Sequence, residues 1–280
     1  MGHHHHHHHH HHMRSAVTVL MEHIRNLYLI RRLSLFELKS DNSNQYLGIL
    51  WEIINPMIQI AIYWFVFGYG IRGRHPVGHI PFILWMLAGM TVWFFVNQAV
   101  LQASKSVYTR IRMVAQMNFP ISVIPTYVIT AKFYQHLMLL AVIFIIFQFT
   151  PYHVSVYLVQ LPYYMFGLLA LLVSFSLITS TLATVVRDVQ MIVQSLVRIL
   201  LYLTPLLWDP SHLPHLVQVI MRLNPLYYIV EGYRSALLGT SWYLVDHASY
   251  TVYFWVVVIL FFVFGSMVHL KFRAHFVDYM

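Results

Sequence analysis

Residues 187–234 read RDVQMIVQSLVRILLYLTPLLWDPSHLPHLVQVIMRLNPLYYIVEGYR, and the fold class follows from them. Arg187 and Asp188 open the stretch as an ion-pair-capable turn. An apolar run with Arg198 at its centre comes next. A lone charge at bilayer depth costs roughly 2.5–3.5 kcal/mol on insertion scales, so Arg198 must meet a partner, the bundle interior or water. The run then breaks at Pro205, Pro210, Pro214 and Pro225 into a segment too polar for another span and too aromatic for a free loop. Broken backbone survives at membrane depth only where protein covers it or it lines a wet cavity. Residues 206–239 therefore predict short re-entrant helices capping the outer end of a helical bundle. Glu231 and Arg234, at helical i, i+3 spacing, read as a local surface pair of little energetic worth.

Composition points the same way. Hydrophobic residues make up 59% of the chain and charged residues 9%, too little polar surface to cover a soluble globule of 280 residues. A hydrocarbon core of roughly 30 Å needs about 20 apolar residues per helix, and six stretches qualify. They are 49–69, 81–101, 127–149, 157–183, 191–208 and 250–270. The expected fold is an all-α membrane protein with six transmembrane helices. An even number puts both termini on one side, and the basic residues choose it. Arg14, Arg25, Arg31, Arg32, Lys39, Lys105, Arg110, Arg112, Arg187, Lys271 and Arg273 fall on that side, against Arg72, Arg74, Arg222 and Arg234 on the other. With Lys132 and Arg198 set aside as membrane-embedded, the expectation is a bacterial inner-membrane protein with both termini cytoplasmic.

Residues 1–12 read as an expression tag that supplies ten of the twenty histidines and is left out of any metal argument. Residues 13–48 form a basic N-terminal segment, and 49–280 a single membrane domain. Within the former, residues 27–39, LYLIRRLSLFELK, set Arg31 and Arg32 into an apolar helical pattern, as in an amphipathic helix lying in the headgroup layer. It leads through Tyr46 and Trp51 into the first span. Arg31, Arg32, Tyr46 and Trp51 are candidate gate residues beside a lipid-facing cleft; a plain interfacial anchor accounts for the same pattern.

Several chemistries are excluded. The chain has no cysteine, so disulfides and thiolate catalysis are out. A Walker A loop ends in Gly-Lys-Ser/Thr, whereas none of Lys39, Lys105, Lys132 and Lys271 follows a glycine. No metalloprotease, nucleophile-elbow or clustered-aspartate motif is present, so neither a metal, a cofactor nor catalysis is expected of this chain. Any work done needs energy from another subunit. The net charge of +8 favours anionic partners at the membrane surface and equally obeys the topology rule; no nucleic-acid partner is expected.

Five segments carry a resemblance: 46–57 (YLGILWEIINPM), 118–125 (NFPISVIP), 187–190 (RDVQ), 202–206 (YLTPL) and 223–227 (LNPLY). In this order they resemble ABC-2 type transport permeases, and within these the polysaccharide exporters of O-antigen, capsule and, most of all, wall teichoic acid. The resemblance implies a homodimer bound to two copies of a separate ABC ATPase that carries the ATP and Mg, exporting a polyprenyl-diphosphate-linked polymer. It also implies that 104–118 and 184–190 touch the ATPases. Lys105, Arg110, Arg112, Arg187 and Asp188 fall there, and such charges can make directional bonds to a soluble partner.

Cargo-path candidates are Arg198 and Lys132, which can hold an anionic polymer, and the rings of Trp64, Trp85, Tyr134 and Tyr202, on which sugars stack. Each has a structural alternative. Arg198 can pair internally with Glu52, Lys132 can snorkel, and rings belong to ordinary interface belts or cores. His136, one turn beyond Lys132, reads as a satisfied interior histidine. A lipid-linked cargo needs lipid for its tail and water for its head, so a lateral opening between spans 1 and 5 is expected. The alternative class, a membrane-embedded transferase acting on polyprenyl-linked sugars, needs an acid/base cluster that the sequence does not display.

Overall fold

The computed structural model describes residues 2–73 and 75–276; Arg74, counted above, lies outside them. The described residues form helices and no β-sheet. In order they are α1 (Gly2–Arg25), α2 (Leu27–Asp41), α3 (Trp51–Tyr63), α4 (Phe82–Ser104), α5 (Ser106–Met117), α6 (Val123–Gln148), α7 (Leu161–Val185), α8 (Asp188–Leu203), α9 (His215–Met221), α10 (Pro225–Leu238), α11 (Tyr243–Asp246) and α12 (Ala248–Arg273). A short 3-10 turn, Gly48–Leu50, leads into α3, and a π-helix, Trp64–Ile71, extends it.

Five helical stretches are long and apolar enough to cross a membrane: α3 with its flanking turns, α4, α6, α7 with the 3-10 turn before it, and α12. The sixth predicted span, 191–208, differs. Its helix α8 has 16 residues, a rise of about 24 Å, short of the roughly 30 Å core. Thr204-Pro205 stops it, because proline disfavours the helical conformation of the residue before it. The chain nevertheless passes from one end of the bundle to the other. At one end, beside α5, the Gln190 side chain donates to the Leu101 carbonyl (3.1 Å). Toward the other, Thr204 Oγ1 accepts from Asn224 Nδ2 (2.9 Å), and Tyr253, near the start of α12, donates to the Leu223 carbonyl (2.6 Å).

α4 is the axis of the bundle. Met86, Ala88, Met90 and Ala99 on it have no exposed surface, and α6, α7, α8 and α10 all pack against it. α10 is the re-entrant element read from the prolines. Asn224 caps it by accepting from the Leu226 amide (3.1 Å), and Pro225 starts it with a φ already suited to a helix. All but two of its residues, Pro225 and Glu231, are buried, against α4 and α7 in particular.

Arg234 on α10 departs from the expected surface pair. It does bond Glu231 (3.0 Å), but its residue is 3% exposed. Its Nε donates to the Trp85 carbonyl (3.0 Å) and its guanidinium stacks 3.5 Å from the Trp85 ring centre. Only Gly89 gives it room, since any Cβ there would overlap the guanidinium. Leaving the buried Arg234 guanidinium without its carboxylate costs about 3–5 kcal/mol, far above the value of a surface bridge.

Between α4, α7, α8 and α12, below the start of α10, lies an apolar cavity of ≈ 230 Å³. Sealed and empty, it would cost about 5 kcal/mol at the rate measured for core cavities.

Helix α10 approaches α7 so closely that a Cβ on Gly232 would overlap the ring of Tyr164. We expect Gly232→Ala to destabilise the protein by about 1–3 kcal/mol, the usual penalty of overpacking. Gly70, where a Cβ would meet nothing nearer than 3.5 Å, serves as the control. Thermal melts in detergent check this: equal midpoints for the two alanine variants would contradict the packing described.

Candidate functional site

The α5 end of the bundle gathers most of the charge. α4 ends at Ser104, tied to α7 by its bond to Thr179 (2.7 Å), and Lys105 turns the chain into α5. α5 stops at Asn118, whose left-handed backbone (φ 54°) asparagine tolerates better than most residues. Arg187 then joins α5 to α7. Its Nη1 donates to the last carbonyls of α7, Ala183 (3.1 Å) and Thr184 (3.0 Å), and its guanidinium lies 3.9 Å from the centre of the Tyr108 ring. Arg187 and Arg112, with Tyr108 and Thr109, line an open cleft of ≈ 340 Å³. Asp188 is exposed at the first turn of α8, where the helix dipole favours a negative charge, and makes no ion pair among the described residues. Arg187 thus caps α7, and Asp188 stands apart from it. Lys105 is half-buried at the α4–α5 junction.

Arg110 behaves otherwise. Its Nε donates to Glu37 on α2 (2.8 Å), so it faces the N-terminal helices rather than the cleft. That bond is one of three. On α1, both Glu22 carboxylate oxygens accept from Nη1 of Arg273 on α12 (2.9 and 2.8 Å), and Oε1 also accepts from the Ser122 hydroxyl (2.7 Å). Asp41, the last residue of α2, pairs with Lys132 on α6 (3.0 Å). Three acids on α1 and α2 each meet a base on a different element. His23 adds a neutral clasp: Nδ1 donates to the Val19 carbonyl (2.8 Å) and Nε2 bonds Thr126 on α6 (2.6 Å). Burial, which outweighs the bond to Val19 and the nearby Glu22, holds its pKa below the ordinary value.

The sequence reading missed these bonds, and one signal was available. Three of the chain's nine acidic residues fall within 22–41, an unusual density for a segment read as a basic anchor.

α2 turns Ile30 and Ser34 inward and leaves Leu27, Tyr28, Leu35 and Phe36 exposed beside Arg31 and Arg32, the pattern of an interfacial helix. The gate candidates Tyr46 and Trp51 are exposed as well. The cargo-path candidates divide. Arg198, Trp64 and Tyr202 lie on the exposed surface of the chain. Arg198 has no ion-pair partner among the described residues; Glu52 instead faces the cavity that Lys132 lines, so the proposed Arg198–Glu52 pair is not formed. Trp85 sits beneath Arg234 in the core, and Tyr134 lies half-buried under α2, accepting from Ser34 (3.3 Å). Both are instead covered by other parts of the chain. Lys132 is occupied by Asp41.

Glu52, Lys132, Gln135 and His136 line a polar cavity of ≈ 20 Å³, room for about one water. His136 bonds Tyr233 (2.9 Å) and stacks on Phe95, while neither amide atom of Gln135 has a protein partner. Pro56 borders the same cavity and leaves the Glu52 carbonyl without its helical donor.

Comparison with known proteins adds the family. The model describing the ABC-2 type transporter matches residues 28–238, from α2 to the end of α10. The chain is 23% identical over 222 residues to the O-antigen export system permease protein RfbA of Myxococcus xanthus, covering 76% of this chain and 82% of that protein. It is 24% identical over 206 residues to the protein of the same name from Klebsiella pneumoniae, covering 72% and 77% respectively. Permeases of this kind work with an ABC ATPase and have no nucleotide-binding domain of their own. The matched region holds the cleft of Tyr108, Arg112 and Arg187, the broken α8–α10 segment and four of the five spans, and so this multi-pass membrane permease belongs to the ABC-2 type transporter family.

Proposed function

We propose that this chain is the membrane subunit of an ATP-driven exporter that moves a polyprenyl-diphosphate-linked polysaccharide, with wall teichoic acid as its cargo, out through the bacterial cytoplasmic membrane. Two copies pair with two ABC ATPase subunits, which carry the ATP and Mg. The observation that carries this reading is the exposed cleft of Tyr108, Arg112 and Arg187 with the unpaired Asp188 beside it, in a chain of a family that works with an ABC ATPase. A soluble partner with complementary charges fits there through charge-assisted bonds. The kinship with O-antigen permeases supports a lipid-linked glycan, and the exposed, unpaired Arg198 supports an anionic one. The end of α12 meets α1 and the buried cluster of α5, and the positive-inside rule makes that end of the bundle cytoplasmic.

The cargo enters sideways. Its tail would expose CH₂ groups to water at about 0.8 kcal/mol each in a closed pore, so it stays in lipid while the head passes. The opening lies between α3 and α8 and is bordered by α2. Within one chain α3 packs on α6 and α4, and α8 on α4 and α7, which leaves both with large exposed apolar faces.

Three outcomes are expected from the permease reconstituted with its ATPase. Asp188→Arg or Arg112→Glu should lower cargo-stimulated ATP hydrolysis by about tenfold, the equivalent of about 1.4 kcal/mol of contact, with insertion unchanged. Normal ATPase association and transport in both would remove the coupling assignment. For the cargo, Arg198→Gln should weaken stimulation by lipid-linked anionic polymer while basal hydrolysis and melting temperature hold; a lower melting temperature with an intact cargo response would assign Arg198 to structure instead. The seam is tested by cysteine pairs such as Ile58→Cys with Ile192→Cys, since the native chain has none to interfere. Transport at the normal rate with the seam covalently shut would show that cargo takes another route.

A further inference from the structure

The apolar cavity between α4, α7, α8 and α12 has no role in the reading above. Its volume, ≈ 230 Å³, exceeds the roughly 150 Å³ of an engineered core cavity that stays dry and takes up benzene. Val96, Leu172, Val197 and Leu226 form its buried floor, at 1–5% exposure. Half-buried Leu200 and Phe261 sit at its margin, on α8 and α12. Asn224 is the one polar side chain in the wall, and both its amide atoms are spent, one capping α10 and one on Thr204. A water inside would find none of the two to four polar partners it needs. A void of this size left empty forfeits the dispersion contacts of its whole lining.

We propose that this cavity is a binding site for the hydrocarbon tail of a membrane lipid, which enters through the gap between α8 and α12. The outer faces of those helices, with Ile199 and Leu203 on α8 and Val256, Ile259 and Leu260 on α12, are exposed and apolar, so lipid chains surround the mouth. The floor lies behind the half-buried margin of Leu200 and Phe261, and a helix of a second copy, at about 10 Å across, is too wide for a space of ≈ 230 Å³, whereas a flexible chain fits it. The cavity reaches the hinge of α10 at Pro225 and Leu226. An inserted tail therefore braces the start of the re-entrant segment. The inference goes beyond the proposed export and does not depend on which polymer is carried.

The test uses the full permease, with its ATPase, in vesicles containing either a phosphatidylglycerol with a diazirine at the end of one acyl chain or a polyprenyl phosphate with a diazirine at the tail terminus. After irradiation, labelled residues are mapped by mass spectrometry. Labelling of Val96, Leu172 or Leu226 by either probe supports the site, and the probe that labels them identifies the source of the tail. Labelling confined to exposed positions such as Ile259 and Leu260 overturns it, as does filling of the space by a second copy of the chain. In Val197→Phe, whose ring occupies the space of several methylene groups, labelling of the buried floor should fall by about tenfold while that of Ile259 is unchanged. Leu172→Phe plugs the same space from α7 should the first variant express poorly. Undiminished floor labelling in a folded plugged variant would also overturn the proposal.

Discussion

One side-chain amide allows this chain to stop a helix inside the membrane and start another. Asn224 accepts from the Leu226 amide at the first turn of α10 and donates to Thr204 at the end of α8. Unpaired backbone groups in hydrocarbon cost several kcal/mol each, so a break between the end of α8 and the buried α10 needs such a clasp. With it in place, α8 can be short, α10 can fold back against α4 and α7, and Arg234 reaches the floor of Trp85 and Gly89. The cavity beneath α10 runs alongside α8, lined by its Leu196, Val197 and Leu200.

The two ends of the bundle are built on different principles. Around α10, aromatic rings and one buried ion pair make a tightly packed cap, with Tyr228 bonded to Tyr163 and Thr251 (2.9 Å each). Around α5, a smaller buried cluster with Val107, Ile111 and Ile124 at 0–3% exposure is bordered by ionic ties. Arg110 links α5 to α2 through Glu37, while Arg187 links α5 to the α7–α8 turn. The cleft at α5 is thereby joined to α2 through one ion pair and to the α7–α8 turn through one cation–π contact.

Much of the fold was legible because membrane helices are written locally. Apolar runs, Asn224-Pro225 at the start of α10, and the spacing of Arg31 and Arg32 each reveal structure within a few residues of themselves. The length of α8 was misread because an apolar window runs on through Thr204-Pro205 without marking where hydrogen bonding stops. The partners of charges were not legible for a different reason. Glu37 and Arg110 are 73 positions apart, Asp41 and Lys132 are 91, and Glu22 and Arg273 are 251. No periodicity spans such distances, so the bond by which Lys132 ties α6 to α2 could not be read from the sequence. Arg234 read as a surface residue for a related reason: its i−3 partner is local, but its burial is set by Trp85 and Gly89, far earlier in the chain.

Pairing Glu22, Glu37 and Asp41 internally has an effect at the lipid headgroups. With those acids neutralised by the body of the protein, the exposed charges of α1 and α2 are all positive: Arg14, Arg25, Arg31, Arg32 and Lys39. Each basic group near an anionic leaflet is worth about 1 kcal/mol, decaying over a Debye length of about 8 Å at physiological salt. With α1 and α2 at the cytoplasmic leaflet, as proposed, the surface potential of the membrane pulls on the same two helices that the ion pairs hold to α5, α6 and α12. Leaflet composition becomes a mechanical load on the N-terminal helices, strongest where phosphatidylglycerol or another acidic lipid is abundant and relaxed where zwitterionic lipid replaces it.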